Sequence, residues 1–200
     1  FGQANLLSEQ YDCSCYNDLK QTFQYQKHKY NLTSSLVKMN FHRMRPSNFP
    51  TIRLSQLANL YFNNKQLFNS LMHAKTISEY YDLLKVNATE YWDNHYTFGK
   101  QSKTFKKSIS KVFVHHILIN VVIPLKFVYS KAYDMDCYNI IQLYELLPAE
   151  KNSIVDQFKS RSFNVQNAKQ SQAAIELKNE YCDHRACLKC EIGNLLLNVK

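Results

Sequence analysis

Two hundred residues, 45% of them hydrophobic and 20% charged, fit one ordinary domain or at most two small ones. The 14 Tyr and 12 Phe give enough apolar bulk for a core, which excludes a disordered or collagen-like chain, and only 3 Gly argue against a turn-rich all-β fold. The formal charge of +9 makes an acidic partner plausible without establishing one.

The dominant period along the chain is helical. Tyr16, Leu19, Phe23, Gln26 and Tyr30 recur at spacings of three and four, which predicts a helix over roughly 14–29. A basic, less regular segment runs from Lys38 to Asn48. Pro50 then stands where a first helical residue is expected, with Asn48 or Phe49 as the cap and Leu54, Leu57, Ala58 and Tyr61 as the apolar stripe. Thr76 with Glu79 makes a capping box for a helix through Tyr80 and Leu84. Around Tyr91–Tyr96 the pattern turns aromatic and polar, and Gly99 interrupts it, so a sub-boundary is placed near 96–102. A Lys-rich stretch then leads into an apolar helix of about 110–129, which Pro124 should kink or shorten. Its most apolar part, Val112 to Leu125, falls short of the roughly 18–20 apolar residues a membrane span needs and reads as a buried core helix. Leu147-Pro148-Ala149-Glu150 repeats the proline-first helix start. Ala168, Ser171, Gln172, Ile175, Asn179 and Cys182 mark a further helix, and Ile192, Leu195 and Leu196 a short last one. The expectation is an all-α, single compact domain of eight to ten helices with little or no sheet.

Charge is segregated. No carboxylate falls between Asp18 and Glu79 or between Asp93 and Asp134, and these two stretches hold sixteen of the 25 basic residues. Cations undiluted by nearby carboxylates are what a phosphate footprint needs, although acidic elements packed alongside would cancel the same field. Arg43, Arg45 and Arg53 flank the proline-started helix with Asn48, and their forked donors match phosphate or carboxylate. Lys100, Lys103, Lys106, Lys107 and Lys111 complete the candidate anion-binding set. The competing reading lets the prolines and Asn48 set the helix entry while the arginines, Arg43 above all, pair with carboxylates of the fold.

Cys182, Cys187 and Cys190, with His184 among them, have a spacing that can chelate zinc or an iron–sulfur cluster. Three reduced thiols packing as small hydrophobes is the favoured alternative, so no cofactor is expected. Glu90, Asp93 and His95 beside Trp92 have the residue types for acid–base work, but more often such groups cap a helix end. His115 and His116 sit in an apolar run and read as core or interface. No glycine-rich phosphate loop, Gly-x-Ser-x-Gly elbow or His-Glu-x-x-His occurs, which disfavours an enzyme of those classes. No leader opens the chain and its six cysteines need not pair, so a cytoplasmic location with reduced thiols is expected. The first residue is Phe, and the sequence reads as a piece of a longer protein.

Phe1–Ala4, Arg43–Leu54, Tyr91–Phe98, Leu147–Asn152, Ser171–Ala173 and Tyr181–Gly193 occur in that order. Together they resemble the C-terminal half of the DUF2851 family, uncharacterised proteins found mostly in Bacteroidetes. The resemblance implies a missing N-terminal domain with an acidic, Glu-x-His pattern similar to a PD-(D/E)xK nuclease core, with this chain as its helical companion. The chain departs from the family at Ser108-Ile109-Ser110, where a Leu-Gly pair is expected, and at Val121 and Ser130, where Thr and Gly are usual. Two functional expectations follow. One is a non-catalytic domain that contacts nucleic acid through the basic segments; the other is a packing or oligomerisation module for the missing domain or for a second copy. A metal site at the cysteines is a third, weaker one.

Overall fold

A computed structural model describes residues 1–33 and 39–197, so Lys38 lies outside the described residues. Helix accounts for 60% of the chain and sheet for 5%, as the periodicity predicts. The described residues form two compact units, one of residues 1–70 and 81–110, the other of residues 71–80 and 111–200.

In the first unit, α1 (Ser14–Tyr30) begins where Cys13 accepts the Tyr16 N–H and ends at Asn31, whose φ of 50° is a left-handed cap that asparagine tolerates. α2 (Pro50–Asn63) starts on the proline, whose missing N–H costs nothing in a first turn. Phe49 is its cap, held extended as residues before proline are, and a 3-10 turn over Pro46–Asn48 precedes it. β1 (His95–Thr97) and β2 (Lys100–Gln101) form a small antiparallel hairpin. Its turn residue Gly99 has φ +69°, and a Cβ there would lie 2.8 Å from the Tyr11 ring, so glycine is required both by conformation and by space. The core is aromatic. Phe1 stacks on Trp92 at 5.7 Å, and Phe98 meets both Tyr16 at 4.9 Å and Trp92 at 5.0 Å edge-on.

α3 (Leu67–His73), which the sequence reading did not single out, and α4 (Ile77–Leu83) follow α2. The capping box forms at the start of α4: Glu79 N–H donates to Thr76 Oγ1 at 3.3 Å, and Glu79 Oε2 accepts the Lys75 N–H at 2.9 Å. That N–H, and then the Thr76 hydroxyl, hold the Glu79 carboxyl below its ordinary value. A carboxyl lowered by folding binds fewer protons in the native state, so its stabilisation is present above the unfolded value and is lost as pH falls through the folded one. Glu79→Gln is expected to flatten the acid limb of melting temperature against pH below about pH 4.5. An acid limb identical to the parent's, followed by circular dichroism, would contradict this.

In the second unit, α5 (Lys111–Ala132) is one continuous helix of 22 residues. A π turn at Leu118–Val122, in which the Ile123 N–H reaches the Leu118 carbonyl, lies just ahead of Pro124. The wider turn leaves room for a residue without an N–H, and the helix runs on past the proline instead of stopping there. The helix read at about 110–129 is thus present, and although its most apolar part, Val112 to Leu125, reads as too short for a span, α5 as a whole is by length and composition the one helix among the described residues long and apolar enough to cross a membrane. The expectation of a buried core helix is corrected to a helix with one buried stripe, 28% of its most apolar window being buried. Val114, Leu118, Ile119, Val122 and Ile123 are inside, while Val112, Val121, Leu125 and Val128 are exposed.

α6 (Tyr138–Leu146) packs on α8 (Ala168–Glu176), which continues through a second π turn, Leu177–Cys182. α7 (Ser153–Ser160) also packs on α8, and α9 (Glu191–Leu197) closes the described chain. The proline-first start at Pro148 is corrected. Leu147 is extended at ψ 143°, Pro148 bridges Asn167, and α7 begins five residues later, where the Asn152 side chain accepts the Val155 N–H. The extended bias that proline imposes on its predecessor serves the bridge here.

Candidate anion-binding site and cysteine cluster

Two hydrogen bonds bring the Arg run and the Lys-rich segment together in the first unit. Thr51 Oγ1 on α2 donates to the Tyr96 carbonyl at 2.5 Å, and Gln56 Nε2, one turn on, donates to the Lys107 carbonyl at 2.9 Å. Both side chains are buried, so their polar groups need these partners. Arg53 Nη1 donates to Gln56 Oε1 at 2.9 Å and its Nη2 to Asn48 Oδ1 at 2.5 Å. Asn48 thus orients a guanidinium instead of capping α2.

The named cations divide into two groups. Lys107 is 4% exposed and turned inward: its Nζ donates to the carbonyls of Trp92 and Asp93, the latter at 2.8 Å, with the Tyr96 and Phe105 rings 4.4 and 4.6 Å away. Burial lowers its pKa, and Asp93 opposes that fall. Lys106 is paired with Asp93 Oδ2 at 2.8 Å, and burial lowers the pKa of Arg53. Arg43, Arg45, Lys100 and Lys103 are exposed in the same unit, and Phe105, which follows Lys103 and Thr104 in sequence, is 48% exposed. Lys111 is exposed and belongs to the second unit.

Asp93 and His95 do not meet as an acid–base pair. His95 stacks on Tyr91 at 4.2 Å, and its Nδ1 lies 3.0 Å from the Tyr91 carbonyl. Asp93 Oδ1 is buried with no hydrogen-bond partner among the described residues. In the second unit, burial and then His116 lower the pKa of His115, and His116 Nδ1 lies 3.9 Å from Glu150 Oε1.

Cys182, Cys187 and Cys190 line one apolar cavity of about 220 Å³ with Phe158, Leu177 and Ile192, so the spacing in sequence does become a cluster in space. His184 is exposed and is not among the residues lining it. All three thiols are free, and no group of three His, Cys, Asp or Glu among the described residues is placed to hold a metal ion. A 3-10 turn, Cys187–Lys189, sets two of them, and Gly193 lies so close to the Cys187 carbonyl that a Cβ would come within 2.3 Å of its oxygen. A site the sequence did not suggest lies elsewhere in the second unit: Lys126 Nζ donates to the Ala74 carbonyl and, at 3.0 Å, to the Tyr80 hydroxyl. An isolated lysine in an apolar run carries no spacing signal that would have revealed it.

The fold and these sites define an all-α chain whose first unit has an aromatic core and carries most of the candidate cations. The chain belongs to the family described as "Protein of unknown function (DUF2851)", which matches residues 1–153. The Ser171–Ala173 and Tyr181–Gly193 segments lie beyond that match. No curated protein and no solved structure matches the chain.

Proposed function

We propose that the first unit binds nucleic acid without base specificity, with Arg43, Arg45, Lys100 and Lys103 contacting phosphates and the exposed Phe105 ring offering a stacking surface for an unpaired base. The observation that carries this reading is the pair of hydrogen bonds from buried side chains, Thr51 to Tyr96 and Gln56 to Lys107, which joins the two acid-free segments in one unit. Lys107 and Arg53 then act as its frame and Lys106 stays paired with Asp93 at the surface, since their charges are already engaged. Fluorescence anisotropy with a labelled single-stranded oligonucleotide should show binding that weakens about tenfold or more from 50 to 200 mM salt, and that Arg45→Ala with Lys103→Ala weakens further. Absence of binding at low salt would end this reading.

The second reading is a packing or oligomerisation module. It draws on the exposed apolar residues of the second unit, Val121 and Val128 on α5 and Leu195–Leu197 on α9. Light scattering on the same preparation separates the two, because a purely structural role gives association and no affinity for the oligonucleotide.

A further inference from the structure

In the second unit a cavity of about 480 Å³ opens beside the segment Met72–Lys75, α5 and α6, a volume within the usual range for small-molecule sites. Met72, Leu143 and Leu146 give it an apolar wall, and Lys126 places a cation in that wall. Lys126 is held there and does not trail into solvent. The Ala74 carbonyl and the Tyr80 hydroxyl take two of the three protons of its ammonium, and the Tyr80 ring centroid lies 5.6 Å from Nζ. Tyr80 in turn donates to the same Ala74 carbonyl at 3.0 Å, so the acceptors are themselves fixed.

Lys107 in the first unit supplies a contrast. It spends itself on two backbone carbonyls, where Lys126 uses one carbonyl and one hydroxyl, and at 4% exposed between two rings it has no room for a ligand. Lys126 makes the same kind of anchor and still borders an open cavity. This half-buried ammonium has two protein acceptors for three protons and has lost part of its water, and burial is what lowers its pKa. An anion arriving in the cavity would restore the solvation that burial removed.

The charges set the ligand. Lys75 and Lys126 line the cavity against Asp136, one net positive charge with the His73 imidazole left out of the count. Glu79 lies outside the lining and keeps its charge, with its oxygens turned to the Lys75 N–H and the Thr76 hydroxyl, while Asp136 accepts the Tyr138 N–H at 2.9 Å. We propose that this cavity binds a small aliphatic monocarboxylate, its carboxylate on Lys126 and its chain against Met72, Leu143 and Leu146.

Isothermal titration of the full chain with sodium octanoate, and with 1-octanol as the uncharged analogue, tests this. Octanoate should bind saturably with one site per chain, and octanol about tenfold or more weakly, the cost of one lost charge-assisted hydrogen bond. Lys126→Met should bring octanoate down to the level of octanol. That variant also deprives Ala74 of a donor, so Leu146→Trp provides the second arm: Leu146 is 67% exposed, and a larger ring there should fill the cavity and abolish binding without moving the melting temperature. No saturable octanoate binding by the parent, equal affinity for octanol, or undiminished binding by Leu146→Trp would each overturn the proposal.

Discussion

Trp92→Ala should lower the stability of the first unit by about 3–5 kcal/mol, the usual cost of truncating a large buried aromatic. The side chain is 1% exposed, stacks on Phe1, and meets Tyr91 and Phe98 edge-on at 5.0 Å each. Those rings converge on one point, so the remaining side chains cannot close the void without each leaving its own partner. Urea unfolding followed by circular dichroism should show the loss, since the substitution removes the protein's single tryptophan. Trp92→Phe should recover most of it. A loss below about 1 kcal/mol for the alanine variant would mean that the aromatic cluster repacks freely.

Lys107→Met should cost about 2–3 kcal/mol even though it removes a charge from the interior. The methionine fills the same space between Tyr96 and Phe105, but the Trp92 and Asp93 carbonyls then lose a shared donor in a place water reaches poorly. Lowering of the pKa by burial works in the opposite direction. The native state holds the lysine proton less tightly than the unfolded chain does, so the charge is a penalty at neutral pH that eases as pH rises. The lost hydrogen bonds are expected to win, because two carbonyls depend on one ammonium. Tryptophan fluorescence during urea unfolding measures this directly at the neighbouring ring. A variant as stable as the parent would show that the carbonyls find other partners.

Local signals carried much of the architecture. The Pro50 start and the Thr76–Glu79 box were legible because each needs only a few consecutive residues to satisfy helix-end N–H groups. The same rule misread Pro148, where the deciding partner, Asn167, is nineteen residues away. The hairpin at His95–Gln101 was too short to show an alternating pattern. At the candidate site, the sequence identified the acid-free segments but not which of their charges remain exposed. Lys106 and Lys107 are adjacent in the chain, and one pairs with a carboxylate at the surface while the other turns into the core. The difference is made by Asp93 and the carbonyls of residues 92 and 93, which backbone folding alone brings near. The cysteines were legible as a cluster, and their arrangement around an apolar cavity needed the turn that Gly193 makes room for.

The π turn in α5 has a consequence for how this chain can vary in length. Each residue of a regular helix advances the side chains by roughly 100°, so the wide turn at Leu118–Val122 works as a phase shift between the two halves of α5. It lets Val114 upstream and Ile123 and Lys126 downstream each find their own partners along one unbroken axis. Loss of a single residue within it would restore an ordinary helix and leave Lys126 facing Ala74 and Tyr80, because the wide turn is what takes up that residue. An extra residue elsewhere in α5, with no second wide turn to absorb it, would rotate Lys126 by roughly 100° away from them. The unit can thus shorten by one residue at this turn and nowhere else between Val114 and Lys126 without giving up the anchor.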